Sequence, residues 1–337
     1  MKKLLFVATA LSIVALSLVA CKKKETQTAE ATPTRQASNR TIKVGYAQVG
    51  HESAWRTANS SSFKTTMTPA NGYDLIYIDA DGNQEVQIAS IRDFIAQNVD
   101  YIVVAPVIET GWDEVLKEAK AAAIPVILSD RQMKLEDDSL YLCWVGGNFL
   151  KEGRDGVKWL EGYLDGKGLS NEDLNIVDIQ GTLGASAQVG RTQGIEEGIQ
   201  SHPNWNLIAQ KSGDFRKDGG KKAMEEIIKE VGINKINVLF AENDDMALGA
   251  IEAIKAAGKK PGEDIIIITF DAGHDVFLSM IAGEINCACE CNPLHGPRIA
   301  EIIKTLENGG SVEKIQYVDE AVFDQSNAAA ILPTRQY

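Results

Sequence analysis

The sequence predicts an α/β protein built from two doubly wound parallel-sheet lobes. Three observations lead there. Short, β-rich apolar runs alternate with helix-like stretches, at the roughly 30-residue spacing that a parallel crossover needs. The alternation runs twice, with a fresh series beginning at Ile176. Polar residues directly follow several runs, in Gln48-Val-Gly-His-Glu, Asp130-Arg131, Asn243-Asp-Asp and Asp271. The carboxyl ends of strands are where open α/β sheets bind ligands.

The chain opens on Met1-Lys-Lys, followed by an apolar stretch from Leu4 to Ala20 broken only by Thr9, Ser12 and Ser17. Small residues end it, so residues 1–20 read as a removable export signal. Leu18-Val-Ala-Cys21 resembles the lipobox of bacterial lipoproteins, which implies that Cys21 becomes the lipid-bearing first residue. Residues 21–40 are polar with no apolar face to bury, the composition of a flexible tether.

The first series then begins. Ile42 to Ala47 reads as a strand and Ser53 to Met67 as a helix that Pro69 helps to end. Asp74 to Asp79 is the next strand. Gln84 to Gln97 is helical, with Val86, Ile88, Ile91, Phe94 and Ile95 near one face. Tyr101 to Ala105 is a strand closed by Pro106, Trp112 to Ala123 a helix, and Ile124 to Leu128 a strand ending at Asp130-Arg131. In the second series the strands are Ile176 to Ile179, Leu207 to Gln210, Val238 to Ala241 and Ile265 to Phe270. The helices are Ala185 to Ser201, Lys217 to Glu230, Met246 to Ala257 and Val276 to Ala282. The ligand edges of both lobes are expected to face one cleft.

Beyond residue 40, 297 residues remain, long for one core and suited to two. The formal charge of −13 becomes −15 once Lys2 and Lys3 leave with the signal. So acidic a surface argues against nucleic acid or anionic membrane as a partner. Beyond the signal, no hydrophobic segment is long enough to span a bilayer.

The polar residues at the strand ends suit a sugar, which has apolar faces and a rim of hydroxyls. Trp55 can cover a face, or pack as helix core. Arg56, Arg131 and Arg191 can each donate to two adjacent oxygens. Glu52, Asp130, Asn243 and Asp271 can accept from hydroxyls. Asp130 and Asp271 also suit turns, and Asn243 to Asp245 suit a helix cap, with Asn243 turned inward and Asp244 or Asp245 capping. Gln48 can touch ligand or hold its loop, and Trp112 reads as packing.

The chain resembles the type I periplasmic sugar-binding proteins of the ribose/galactose class, and within it the galactofuranose-binding members. The stretches that carry the resemblance are Val44 to Arg56, Ala105 to Trp112, Ile124 to Arg131, Ile179 to Ser186, Arg191, Ser212 to Phe215 and Glu242 to Ala250. It implies two lobes joined by a multi-strand hinge: 41–145 plus 288–310 form the N-terminal lobe, and 146–287 plus 311–337 the C-terminal lobe. It also implies capture of a monosaccharide, galactofuranose or a relative, for an ABC permease and ATPase complex. The protein would act as a monomer outside the cytoplasm, held to the envelope by lipid alone, with no cofactor and no metal. A co-receptor for chemotaxis or signalling, binding sugar or nucleoside, is the alternative. His51 departs from the resembling pattern within a presumed sugar-contacting loop. The hinge is expected near Trp144 to Asn148, Ala288 to Cys291 and Gly309 to Ser311.

An enzyme fits the sequence poorly. Gly184-Ala-Ser-Ala lacks the second glycine of a nucleophile elbow. The histidines at 51, 202, 274 and 295 have no metal spacing. Arginines around the carboxyls favour ionisation, which is poor for a general acid. Cys143, Cys287, Cys289 and Cys291 fall in the crossover strands, with the last three on one face by alternation. Either all four are buried thiols, or Cys143 bridges one of the others, Cys289 being the nearest candidate.

Overall fold

The computed structural model describes residues 40–337. The signal, Cys21 and all but the last residue of the tether lie outside the described residues. The first sheet is built by β1 (Ile42–Gln48), α1 (Ala54–Thr66), β2 (Tyr73–Asp79), α2 (Gln84–Ala96), β3 (Tyr101–Val104), α3 (Asp113–Ala121), β4 (Val126–Ser129) and β5 (Cys143–Gly146). The chain then passes into α4 (Phe149–Lys167), β6 (Leu174–Gln180), α5 (Ser186–Gln200), β7 (Trp205–Ser212), α6 (Lys217–Val231), β8 (Val238–Ala241), α7 (Asp244–Ala256), β9 (Ile266–Asp271), α8 (His274–Ile281) and β10 (Cys287–Glu290). It returns through α9 (His295–Glu307) and β11 (Ile315–Tyr317), then crosses again to β12 (Val322–Asp324) and α10 (Ala328–Ile331).

The two sheets run β11-β5-β4-β3-β1-β2 and β12-β10-β9-β8-β6-β7. Each places its first strand second from one edge, so winding reverses between β1 and β3 and again between β6 and β8. Those reversals open a crevice at the carboxyl ends of the strands. Among the described strands, only β12 runs antiparallel to its neighbour. Strands buried on both faces need apolar residues throughout rather than alternation. β3, β4 and β8 accordingly read Tyr-Ile-Val-Val, Val-Ile-Leu-Ser and Val-Leu-Phe-Ala, with every residue buried.

The strand pairings move two lobe boundaries. β10 pairs β9 and belongs to the second sheet, so the chain returns after Glu290 and not at 287/288. β11 pairs β5, so the last crossing lies between Tyr317 and Val322 and not near Gly309 to Ser311. The chain first passes between the sheets at Gly147-Asn148, after β5. Cys143 and Cys289 therefore sit in different sheets, and all four described cysteines are free and buried. In α2 the face that packs is Gln87, Ser90, Ile91 and Phe94, while Val86 is exposed.

α4 and α5 approach closely because glycines line the contact. A Cβ at Gly153 would lie 2.5 Å from the Arg191 carbonyl, and one at Gly194 2.7 Å from that of Leu150. This contact sets Glu152 beside Arg191.

Candidate ligand-binding cleft

Ser53 caps α1, its hydroxyl accepting from the Arg56 amide at 3.0 Å. The cap presents the first turn of α1, with Glu52, Trp55 and Arg56, at the end of β1. Arg56 donates from Nε to Glu52 Oε1 at 3.0 Å, from Nη1 to Gln48 Oε1 at 3.3 Å and from Nη2 to Asp130 Oδ2 at 2.6 Å. Arg131 donates to the Val107 carbonyl at 2.8 Å and to Glu52 Oε1 at 3.4 Å. From the second lobe, Arg191 on α5 donates to Glu152 Oε2 at 2.7 Å, to the Glu242 carbonyl and to Asp271 Oδ1 at 3.3 Å. An arginine has five N–H donors in a fixed fork. Each of the three fixes part of its fork on protein and keeps at least two donors free.

These side chains line one tight cavity of about 20 Å³ between the lobes, walled by Glu52, Ser53, Trp55, Arg56, Asp130, Arg131, Ala187, Arg191, Phe215, Asn243, Asp271 and Cys291. Trp55 from the first lobe and Phe215 from the second supply aromatic surface. Trp55 is fixed by its Nε1–H to the Cys291 carbonyl at 2.6 Å and by edge contact with His295. The second oxygen of Glu52 is buried and has no hydrogen-bond partner among the described residues.

The lobes meet around this cavity. The Ala54 amide donates to Asp245 Oδ2 at 2.9 Å, Gln132 N to Ser186 Oγ at 2.8 Å and Glu109 N to the Gly184 carbonyl at 3.0 Å. Arg216 stands 3.8 Å from Asp81 at the rim. The described form is closed.

Electrostatics follow from burial. Burial opposes the Glu52 charge, but Arg56 and Arg131 outweigh it and hold the carboxyl below its usual range. Burial pushes the Asp271 carboxyl up against the pull of Arg191, with Asp244 and Glu152 adding to the push. His295 is buried and pushed down to about 4, so it stays neutral. Arginines set against this many carboxyls leave little net charge, which suits an uncharged ligand.

Eight of the nine expected contact residues line the cavity: Glu52, Trp55, Arg56, Asp130, Arg131, Arg191, Asn243 and Asp271. Gln48 does not. It is fully buried, donates to Asn59 and Ser60, and positions Arg56 from behind. Asn243 itself caps α7, accepting from the Met246 amide at 2.9 Å, and donates to the Phe215 carbonyl at 3.1 Å. Asp244 instead accepts from Gly273 N and Thr269 Oγ1, and Asp245 reaches the opposite lobe. Asp130, in the bend after β4, and Asp271, the last residue of β9, are both cavity walls with positive φ, +64° and +103°. Such backbone is costly away from glycine and collects at functional sites. His51 points outward, 3.0 Å from Asp79, and does not line the cavity. Trp112 is wholly buried, its Nε1–H on the Ile108 carbonyl.

Phe215, Ser53, Ala187 and Cys291 were not expected to line the cavity. Phe215 turns inward because Asp214 and Phe215 both take positive φ, at +57° and +58°. A Cβ at Gly181 would collide with its ring, so that glycine was the available signal.

Known proteins are similar to this chain in sequence and fold. The chain is 40% identical over 284 residues to the galactofuranose-binding protein YtfQ of Escherichia coli, covering 84% of this chain and 87% of that protein. A Mycobacterium smegmatis protein crystallised with β-D-fucofuranose superposes with a TM-score of 0.83 at 44% identity, over 88% of this chain and 95% of that one. The binding component of the arabinose ABC transporter from Shewanella sp. ANA-3, bound to α- and β-L-arabinofuranose, gives 0.82 at 40% identity, over 88% and 96%. With residues 45–326 matching the periplasmic binding protein domain, two matching sheets and a closed cleft between them, the chain belongs to the periplasmic binding protein family.

Proposed function

We infer that the protein captures a monosaccharide in its furanose form between the two lobes and delivers it to an ABC transporter. The observation that carries this is a cleft cavity in which three arginines keep N–H donors unused beside the carboxyls of Glu52, Asp130 and Asp271, between the Trp55 and Phe215 rings. Sugar hydroxyls pair with such donors and acceptors, and aromatic faces cover the ring. Two of the relatives named above were solved with furanoses. Glu52, Trp55, Arg56, Asp130, Arg131, Arg191, Asn243 and Asp271 are the proposed contacts, with Phe215 added. Titration calorimetry with L-arabinose, D-galactose, D-fucose, ribose, glucose and nucleosides tests the reading. Furanose is a minor form of the first three sugars in solution, so apparent affinity is reduced by its fraction. Tight nucleoside binding with no sugar binding would overturn it.

The lobes in this reading are 41–146 plus 292–317 and 148–290 plus 322–337, each closing on the other as ligand bridges them. Lipid on Cys21 holds the exported monomer to the envelope, where two or more chains give stable attachment. Cys21→Ser is expected to yield unprocessed or soluble protein. Processed variant that still fractionates with membranes would refute the anchor.

A further inference from the structure

The three crossings between lobes meet beneath the cavity. Glu152 opens α4 just past the first crossing, Cys291 lies in the second and Glu320 in the third. Their ligand-capable atoms lie within 4.8 Å of one another. Glu152 Oε2 accepts from Arg191 Nε at 2.7 Å, and Glu320 Oε2 from the Asn148 amide at 3.3 Å. The remaining oxygens, Oε1 of each, are buried and meet no donor among the described residues. Gly147 covers both: a Cβ there would fall 2.3 Å from Glu320 Oε1 and 2.5 Å from Glu152 Oε1. Two ionised carboxylates held this way would repel, each with an unpaired oxygen. One proton between them removes both penalties.

Few other charges bear on the pair. α5 presents Arg191, the second crossing the Cys291 thiol, and α4 itself Lys151 near Glu320. Asp271 from β9 stands behind Arg191, and Asp130 acts from the end of β4. Among the described residues Arg191 is the one cation in contact, and it is already shared with Asp271.

We propose that Glu152 and Glu320 share one proton across the hinge, and that this proton ties the third crossing to Arg191 in its cavity-facing position. Glu320 carries the proton and donates it to the Glu152 carboxylate, which keeps its charge for Arg191. Glu152 is thus a positioning residue, and its effect on ligand rests on the sugar-site reading given above. Burial in the closed form raises the proton affinity of the pair, Glu320 to about 9. Opening admits water and lowers it, so closure takes up a proton. Raising the pH towards that value therefore favours the open form and weakens sugar.

The test uses the full mature protein and L-arabinose. Affinity is expected to fall several-fold between neutral pH and about pH 9. Calorimetry in buffers of different ionisation enthalpy should read uptake of up to one proton on binding. Glu320→Gln keeps a neutral donor in place, so it should retain neutral-pH affinity, flatten the pH profile and abolish proton uptake. Glu152→Gln should weaken binding at every pH. Infrared spectroscopy of the sugar-free closed fraction reads the proton without ligand, as a carboxylic-acid C=O band absent from Glu320→Gln. Sugar binding with a flat profile would overturn the coupling to Arg191, and absence of the band would overturn the shared proton. Stoichiometric zinc lost in Cys291→Ser would also overturn it. The band without any sugar binding would sink the sugar reading alone and leave the proton pair standing.

Discussion

Arg56 answers two buried carboxyls and one buried amide at once, so its loss strands all three. Arg56→Ala is expected to destabilise the fold by about 3–5 kcal/mol, the usual result of leaving buried charge unpaired, and to abolish sugar binding. Urea denaturation and calorimetry check the two effects separately. His295 gives a pH dependence whose sign can be worked out. Its folded value is about 4, against ~6.5 for the unfolded chain. Between those values the unfolded state binds more protons, so acidification through that window destabilises, by on the order of 3 kcal/mol. Above about pH 6.5 the histidine contributes no slope. His295→Asn should remove this slope, seen as a wild-type-minus-variant difference that shrinks towards acid pH. A difference independent of pH would refute the neutral, buried imidazole.

At the scale of elements, the α4–α5 contact makes opposite predictions for glycines on one helix. Gly153 faces the Arg191 carbonyl, which cannot yield as a side chain can. Gly153→Ala gains about 1 kcal/mol of helix propensity but overpacks the contact, for a net loss of about 1–2 kcal/mol and weaker sugar binding as Arg191 shifts. Gly162 has open space around it, so Gly162→Ala should stabilise by about 0.5–1 kcal/mol. Melting curves of both variants decide it. The same contact shows what the sequence made legible. β8 and β9 could be read because buried parallel strands leave near-continuous apolar runs. α4 was not read: Val157, Leu160 and Leu164 carry an apolar period through its second half, but its opening turns bury Glu152, Gly153 and Gly156 instead. α9 was also unread, its first turn holding buried His295 and Gly296. Site residues at strand ends were legible because topology fixes that edge. Phe215 was not, because which way a loop side chain turns depends on local backbone and on neighbours far away in sequence, and Gln48, the last residue of β1, turns instead toward Asn59 and Ser60.

For the molecule as a whole, ligand affinity includes the free energy of closing the lobes. Asp245 does not line the cavity, yet it accepts the Ala54 amide across the cleft. Asp245→Ala should weaken sugar several-fold, in line with a loss of about 1 kcal/mol for one hydrogen bond. Small-angle scattering should show a larger radius for the variant at subsaturating sugar and the same compact radius at saturation. The three crossings have a further consequence, for how the chain reaches this state at all. Ile315 of β11 pairs with Trp144 of β5, 171 residues earlier. The edge of the first sheet therefore waits until residues 148–290 of the second lobe have been synthesised. α9, which packs beneath the first sheet with Ile299 and Ile303, arrives just as late. Pairings so distant in sequence make folding slow. A nascent chain thus stays incomplete through most of its synthesis, a delay compatible with crossing a membrane before it folds.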